Sequence, residues 1–134
     1  MATIKAYTDP SQSKTLSKIL PLESADGGWY ETDNPLAANT EYWLYTKYTE
    51  KAALPAWSLV ALLGVLPPHL YEWEKGIDFN LYPSVAKKRW WCAGYISQYL
   101  SPENKDKFIL ITHADNPVDA CYEMILTLHE LNLL

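Results

Sequence analysis

Two helices near the ends of this 134-residue chain begin with the same signal, Asp or Asn followed by proline. Asp9-Pro10 and Asn116-Pro117 each offer a side-chain acceptor at the N-cap and a proline at the first helical position, where its missing N–H costs nothing. Gln12 also has capping-box spacing from Asp9. The sequence therefore predicts one helix over about residues 10–20, ended by Pro21, and another from Pro117 to the end of the chain.

The region that follows the first helix is rich in aromatic residues and threonine, the composition that strands prefer. Short strands are predicted at residues 29–32 and 41–48, after the turn signals Asp26-Gly27-Gly28 and Asp33-Asn34-Pro35. In the second of these strands, alternation places Trp43 and Tyr45 on one face and Tyr42 and Leu44 on the other. We expect one face to meet the core and the other to meet a ligand, a partner or a loop.

Further strands are predicted in the second half of the chain. Residues 70–84 suggest two short strands around Lys75-Gly76, and residues 108–112 form a compact apolar strand that we expect to be buried on both faces. Residues 85–100 are compatible with a strand or a helix, and their aromatic content favours a strand.

A third helix is predicted from Pro55 to Gly64, where apolar residues surround the helix axis and indicate a central, covered position. Prolines and glycine interrupt this apolar run, so it falls short of the ~20 residues that span a membrane. The elements together predict an α+β fold, a single small domain over residues 1–134 with three helices packed on a small, mostly antiparallel sheet.

The aromatic composition suggests a binding surface, because the chain has six Trp and ten Tyr but only two Phe. Trp and Tyr join a large apolar body to a polar tip, which suits half-solvated binding faces. Core packing, a protein interface and a stacking cleft for a sugar or base all remain open. The candidate binding residues are Trp29, Tyr30, Trp43, Tyr45, Trp73, Lys88, Arg89 and Trp90. We expect a small cytoplasmic, non-enzymatic module that binds a protein partner or its own copy through an aromatic-rich surface.

Charge disfavours non-specific binding to nucleic acid, because the net charge is −5 and the sequence pI is about 5.1. One local exception is residues 87–91, which combine three cations with Trp90 and Trp91. Such a cluster can hold single-stranded nucleic acid or a phosphorylated ligand, or contact a protein partner, but a solvated strand end with Trp90 or Trp91 in the core is the simpler interpretation. Nucleic-acid binding through Lys87–Trp91 is therefore a weaker alternative function.

A small enzyme or ligand binder is the other alternative. Glu23 and Asp26 lie in a polar loop after the first helix, and His113 follows a predicted strand. Two carboxylates and a histidine could perform acid–base chemistry if the fold brought them into one cleft. The simpler interpretation assigns them to turns, caps and the surface, since nothing marks a nucleophile.

No cofactor or metal is predicted from this sequence. Cys92 and Cys121 are too few for a disulfide framework, and neither they nor the histidines have paired ligand spacing. The residues at the start of the chain lack the apolar stretch of a signal peptide. A reducing cytoplasm with no membrane association is therefore the expected location.

Three stretches of the chain resemble a family of short uncharacterised proteins that is common in gut Bacteroidetes genomes, often near mobile elements. They are residues 7–14 with 19–26, residues 55–59 with 61–63, and residues 116–125 with 128–131. The resemblance implies a cytoplasmic bacterial or phage-associated protein. The family has no established activity, so the resemblance assigns no functional residue.

Overall fold

The first helix begins where its cap signal predicts. In a computed structural model, which describes residues 5–31, 41–70, 77–85, 87–97 and 108–134, helix α1 spans Pro10–Leu16. The Gln12 backbone N–H donates to Asp9 Oδ1 at 2.8 Å, and the Asp9 N–H donates to Gln12 Oε1 at 3.0 Å, which completes a capping box. The helix ends at Leu16 rather than near residue 20, because tighter turns follow, including the bond from the Ile19 N–H to the Leu16 carbonyl at 2.9 Å.

Residues 1–65 form one compact unit around a small antiparallel sheet. Strands β1 (Gly27–Glu31), β2 (Tyr42–Tyr45) and β3 (Leu54–Ala56) lie in the order β2-β1-β3. Helix α1 packs against β3. Because β1 lies between its two successors, the chain crosses from one edge of the sheet to the other between β2 and β3.

The second helix, α2, spans Leu59–Val65 and starts later than the sequence predicts. Pro55 belongs to β3, where it lies opposite Gly28 on an edge strand that tolerates the missing N–H. The expected central position is also wrong, because the Val60 side chain is 77% exposed and only Leu62 is buried within the helix.

The core of this first unit combines apolar residues with one buried hydroxyl pair. Its fully or nearly fully buried apolar residues are Leu16, Leu20, Ala56, Trp57 and Leu62. Among them the hydroxyls of Thr8 and Ser13 are 2.8 Å apart and share a hydrogen bond. Each buried hydroxyl therefore has the partner that its desolvation requires.

Residues 66–134 form the second compact unit around another antiparallel sheet. Strands β4 (Ile77–Pro83), β5 (Trp91–Ser97) and β6 (Phe108–Ala114) lie side by side in chain order. The strand interpretation of residues 85–100 is thus confirmed for 91–97. The predicted strand at 108–112 exists, but as an edge strand on which Ile111 is 37% exposed, so burial on both faces is wrong.

Helix α3 (Pro117–Glu130) packs against β5 and β6. The Asp119 N–H donates to Asn116 Oδ1 at 2.8 Å, as the predicted N-cap requires. The helix buries Val118, Ala120, Cys121, Met124, Ile125 and Leu128. The helix ends at Glu130 rather than at the end of the chain, and the next residue, Leu131, is 51% exposed.

The α+β fold class with three helices and small antiparallel sheets is therefore confirmed. The strands form two three-stranded sheets rather than one. Of the two predicted strands around Lys75-Gly76, β4 corresponds to the second, and the first falls largely on residues 71–76, outside the described residues. Among the described residues, no helix is both long and apolar enough to cross a membrane.

Candidate interaction surface

The most exposed aromatic side chains of the described chain lie on strand β2. Trp43 is 63% exposed and Tyr45 is 55% exposed. Both point to the same face of the sheet, since they are two residues apart on one strand. Tyr30 lies opposite Trp43 on β1 and shares that face. We call these three residues, Tyr30, Trp43 and Tyr45, the outer aromatic face.

Ring contacts and one hydroxyl bond order this face. The rings of Tyr30 and Tyr45 meet edge to face, with their centroids 4.8 Å apart and their planes at 80°. The Tyr30 hydroxyl is also hydrogen-bonded to the Thr49 hydroxyl in the connection that follows β2. Edge-to-face packing is a favoured geometry for aromatic pairs, so Tyr30 fixes the ring of Tyr45 while leaving it largely in water.

The crossing of the chain from β2 to β3 limits the outer aromatic face on one side. A Cβ on Gly28 would lie 2.9 Å from the Ala52 Cβ and 3.2 Å from the Tyr30 ring. The Ala53 N–H donates to the Trp29 carbonyl at 2.9 Å, which holds this crossing on the sheet. Glycine at position 28 is therefore what lets the connection pass over β1.

Two other tryptophans of the first unit have structural roles. The Trp29 indole N–H donates to the Thr8 carbonyl at 2.9 Å, on the face opposite Tyr30. The Trp57 side chain is fully buried, and its indole N–H donates to Ser24 Oγ at 2.9 Å. Trp43, by contrast, has no hydrogen-bond partner for its indole in the part of the chain that the structure describes. Two candidate binding residues lie on β1. Tyr30 shares the outer aromatic face with Trp43, whereas Trp29 points to the opposite face of the sheet.

The basic candidates lie together at the turn of the β4–β5 hairpin. Lys87, Lys88 and Arg89 are exposed, and Trp90 is partly buried. The Lys87 Nζ lies 3.4 Å from the centroid of the Trp90 ring, a cation–π contact. Arg89 has a φ of 66°, the left-handed conformation of a tight turn. The remaining aromatic candidate, Trp73, lies outside the described residues.

The acidic candidates belong to the first unit, and the histidine candidate belongs to the second. Glu23 is exposed in a 3₁₀ turn at Leu22–Ser24. Asp26 accepts hydrogen bonds from the Ser58 backbone N–H at 2.8 Å and from the Ser58 hydroxyl. Ser58 in turn caps α2, since its Oγ accepts from the Ala61 N–H at 3.2 Å. Asp26 thus supports a helix start, and His113 is an exposed residue of β6 in the other unit.

The two thiols are buried and unbonded to each other. Cys92 lies on β5 and Cys121 on α3. Burial raises the pKa of the Cys121 thiol to about 12. Burial also raises the pKa of Tyr82 to about 12, with further contributions from the Coulombic interaction and hydrogen bond with Cys92. Since the thiolate is the nucleophile and metal ligand, Cys121 is inert at neutral pH.

No cluster of three or more His, Cys, Asp or Glu that could hold a metal ion exists among the described residues.

Leu44, which is not among the candidate binding residues predicted from the sequence, is 37% exposed on the other face of β2. Because Leu44 and Trp43 point to opposite faces of the sheet and both are exposed, β2 is accessible to solvent on both faces.

The chain has no match among protein-family models, curated proteins or solved structures. Its candidate function therefore rests on its own geometry.

Proposed function

We propose that this protein is a non-enzymatic interaction module that binds a protein partner or its own copy through the outer aromatic face. The observation that supports this most directly is the 63% exposure of Trp43 beside the 55% exposure of Tyr45. Isolated apolar residues are common on protein surfaces and need no explanation. A contiguous set of Trp and Tyr side chains on a sheet is different, because these residues dominate the energetic centres of protein interfaces.

The chemistry of the three side chains suits a reversible contact. Tyr45 and Trp43 offer broad apolar surfaces whose burial would release water, and each keeps a polar group for a hydrogen bond with a partner. Tyr30 contributes rigidity, since its ring and hydroxyl are already held by Tyr45 and Thr49. A rigid aromatic platform loses little side-chain entropy on binding. We further propose a cytoplasmic location in a bacterial or phage-associated setting, as the family resemblance implies.

The test removes the two exposed rings and measures association. The double variant Trp43→Thr/Tyr45→Thr keeps residues that favour strands. We expect it to lose self-association in sedimentation velocity, or to lose the partner that the wild-type chain retains in a pull-down from its own host. Circular dichroism and urea unfolding establish that the variant is folded.

The control is Val60→Gln, which removes an apolar side chain of α2 that is even more exposed than Trp43 or Tyr45. This variant should associate as the wild-type chain does. If the wild-type chain neither self-associates nor retains a partner that distinguishes these two variants, the proposed function is wrong.

A second candidate function is binding of single-stranded nucleic acid through the turn of the β4–β5 hairpin. It is favoured by the three consecutive exposed cations at 87–89 beside the Trp90 ring. If the turn contacts phosphates, Lys88→Ala/Arg89→Ala should weaken binding of a labelled oligonucleotide and lower its salt dependence. The control Lys14→Ala/Lys18→Ala removes two exposed cations at the end of α1. It should change neither the affinity for the oligonucleotide nor its salt dependence. Binding that is absent, or equal in both variants, would exclude this function.

A further inference from the structure

The outer aromatic face contains an indole ring that is open to solvent. Trp43 is 63% exposed, and no cation–π contact involves its ring among the described residues. Trp90 of the second unit differs, because it is partly buried and the Lys87 Nζ lies 3.4 Å from the centroid of its ring. The electron-rich face of an indole attracts a cation more strongly than the face of any other aromatic side chain. The ring of Trp43 is therefore available to a cation from outside the chain.

The two tyrosines extend the binding surface beside this ring. The planes of Tyr30 and Tyr45 meet at 80° with their centroids 4.8 Å apart, so the two rings form a corner rather than a flat layer. Tyr45 lies two residues from Trp43 on the same face of β2, about 7 Å along the strand. A long side chain whose charged end lies on Trp43 can therefore pack its apolar stem against Tyr45.

The charges that flank β2 direct a cation toward Trp43. Glu41 precedes Trp43 by two residues, so their Cα atoms are at most about 7 Å apart. Glu41 is exposed and forms no ion pair within the part of the chain that the structure describes. Lys47 follows Tyr45 by two residues and is also exposed, so the other end of the surface repels cations. The net charge of −5 adds a long-range attraction for a basic partner.

We propose that the outer aromatic face binds an arginine side chain of a basic protein partner, with the guanidinium stacked on Trp43 and hydrogen-bonded to Glu41. Arginine fits both groups at once, because its planar guanidinium stacks through its face while its N–H donors point outward in the plane toward a carboxylate. A lysine ammonium has no such plane. The partner is thus a chain that presents an exposed arginine in a positively charged segment. This inference rests on the proposed function and names the chemistry of the partner.

A pair of peptides that differ only in charge tests the binding of arginine. The first is a fluorescent peptide of alternating glycine and arginine, and the second carries citrulline, a neutral analogue of similar shape, at each arginine position. In fluorescence anisotropy with the full chain, we expect the arginine peptide to bind about tenfold more tightly than the citrulline peptide. Equal binding of the two peptides, or binding of neither, overturns the inference.

Two substitutions of Trp43 distinguish the electrons of the ring from its apolar area. Trp43→Phe keeps an aromatic face and should weaken binding of the arginine peptide by about threefold. Trp43→Leu keeps only an apolar side chain and should weaken it by about tenfold. Circular dichroism establishes that both variants are folded. If both bind the arginine peptide equally well, the guanidinium does not stack on this ring and the inference is wrong.

Removal of one carboxylate tests the second contact. Glu41→Gln should weaken binding of the arginine peptide by about threefold at low salt, and the loss should shrink as salt is added. The matched control is Glu130→Gln, which removes an exposed carboxylate at the end of α3 and changes the net charge by the same amount. This control should bind as the wild-type chain does. An equal loss in both variants would assign the effect to net charge and overturn the contact with Glu41.

The outcomes separate this inference from the proposed function. A preference for the arginine peptide that Trp43→Leu removes and Trp43→Phe largely keeps supports arginine as the occupant. A chain that retains a partner through Trp43 and Tyr45 but does not prefer arginine over citrulline overturns the arginine site while the proposed function stands. If the Trp43→Thr/Tyr45→Thr variant loses neither self-association nor a partner, the proposed function is wrong, and the assignment of a basic partner falls with it.

Discussion

The two sheets differ in how they use their aromatic residues, although each has three antiparallel strands and a helix packed against it. In the second unit, Tyr95 lies on the central strand β5, is fully buried, and donates its hydroxyl to the Pro67 carbonyl at 2.8 Å. In the first unit, Tyr45 lies on the edge strand β2 and is 55% exposed. Position within the sheet, rather than residue type, decides whether an aromatic ring stabilises the fold or remains available for binding.

The order of the strands explains this difference. The second sheet follows chain order, so the middle segment of the sequence becomes the middle strand. In the first sheet β1 takes the centre, and β2, the more aromatic segment, is left at the edge. Among the strands described, the one with the most exposed rings is thus an edge strand of its sheet.

Replacing one tyrosine in each sheet gives the largest expected contrast. Tyr95→Ala removes a fully buried ring that packs on Phe79 with centroids 5.4 Å apart, and should lower the free energy of unfolding by about 3–5 kcal/mol. Tyr45→Ala loses mainly its contact with Tyr30 and should cost less than about 1.5 kcal/mol. Urea unfolding followed by circular dichroism measures both. Equal losses would show that exposure does not separate the two rings.

Adding a methyl group at two glycines tests the chain crossing that distinguishes the first sheet. Gly28→Ala brings a Cβ to within 2.9 Å of Ala52 and should destabilise the protein by about 1–3 kcal/mol. Gly64→Ala is the matched control, because a Cβ there meets nothing within 4 Å. This second change lies in α2 and should stabilise by up to about 1 kcal/mol. Thermal unfolding of the two variants should therefore shift in opposite directions.

Alkaline pH should destabilise the second unit through the buried Cys121 thiol of α3. The pKa of Cys121 is about 12 in the folded protein, above its ordinary value of 9.0. The stability that the protonated thiol contributes to the folded protein is fully present below pH 9. It is lost as the pH rises toward 12, because over this range the unfolded chain releases a proton that the folded chain retains. The free energy of unfolding should fall by about 1.4 kcal/mol per pH unit from this group.

Cys121→Ala tests that assignment, since it removes the thiol while keeping a small apolar side chain. Urea unfolding between pH 8.5 and 10.5, about the lower part of this window, should give a shallower pH dependence for the variant than for the wild-type chain. An identical slope in both proteins would place the alkaline sensitivity elsewhere, with Tyr82 as the next group to replace.

Local chemistry made much of the fold predictable. The caps at Asp9 and Asn116 fix the start of two helices through contacts within one turn, and both starts are confirmed. Aromatic and threonine content correctly indicated most strands. What could not be predicted depends on distant pairing. Strand β3 has only three residues, one of them Pro55, and exists because β1 pairs with it across the sheet.

The candidate surface was predictable to the same extent. Alternation along one strand placed Trp43 and Tyr45 on the same face, since that relation is local. Alternation alone could not show which face of the strand would be covered. It also could not show that the Trp29 indole would be held by the carbonyl of Thr8, which is distant in sequence. The identity of the edge strand depends on strand order, which no local pattern encodes. The binding role of the basic turn at Lys88 and Arg89 stays a prediction.

The contacts of Thr8 have a consequence for synthesis on the ribosome. Its N–H donates to the Trp57 carbonyl at 2.9 Å, and its hydroxyl accepts from the Trp57 N–H, 49 residues further along the chain. Thr8 therefore leaves the ribosome long before its partner is made. Helix α1 can form early from its own cap, but its buried face has nowhere to dock until Trp57 emerges. The first unit closes only then, so a pause in translation before that point would leave Leu16 exposed to chaperones.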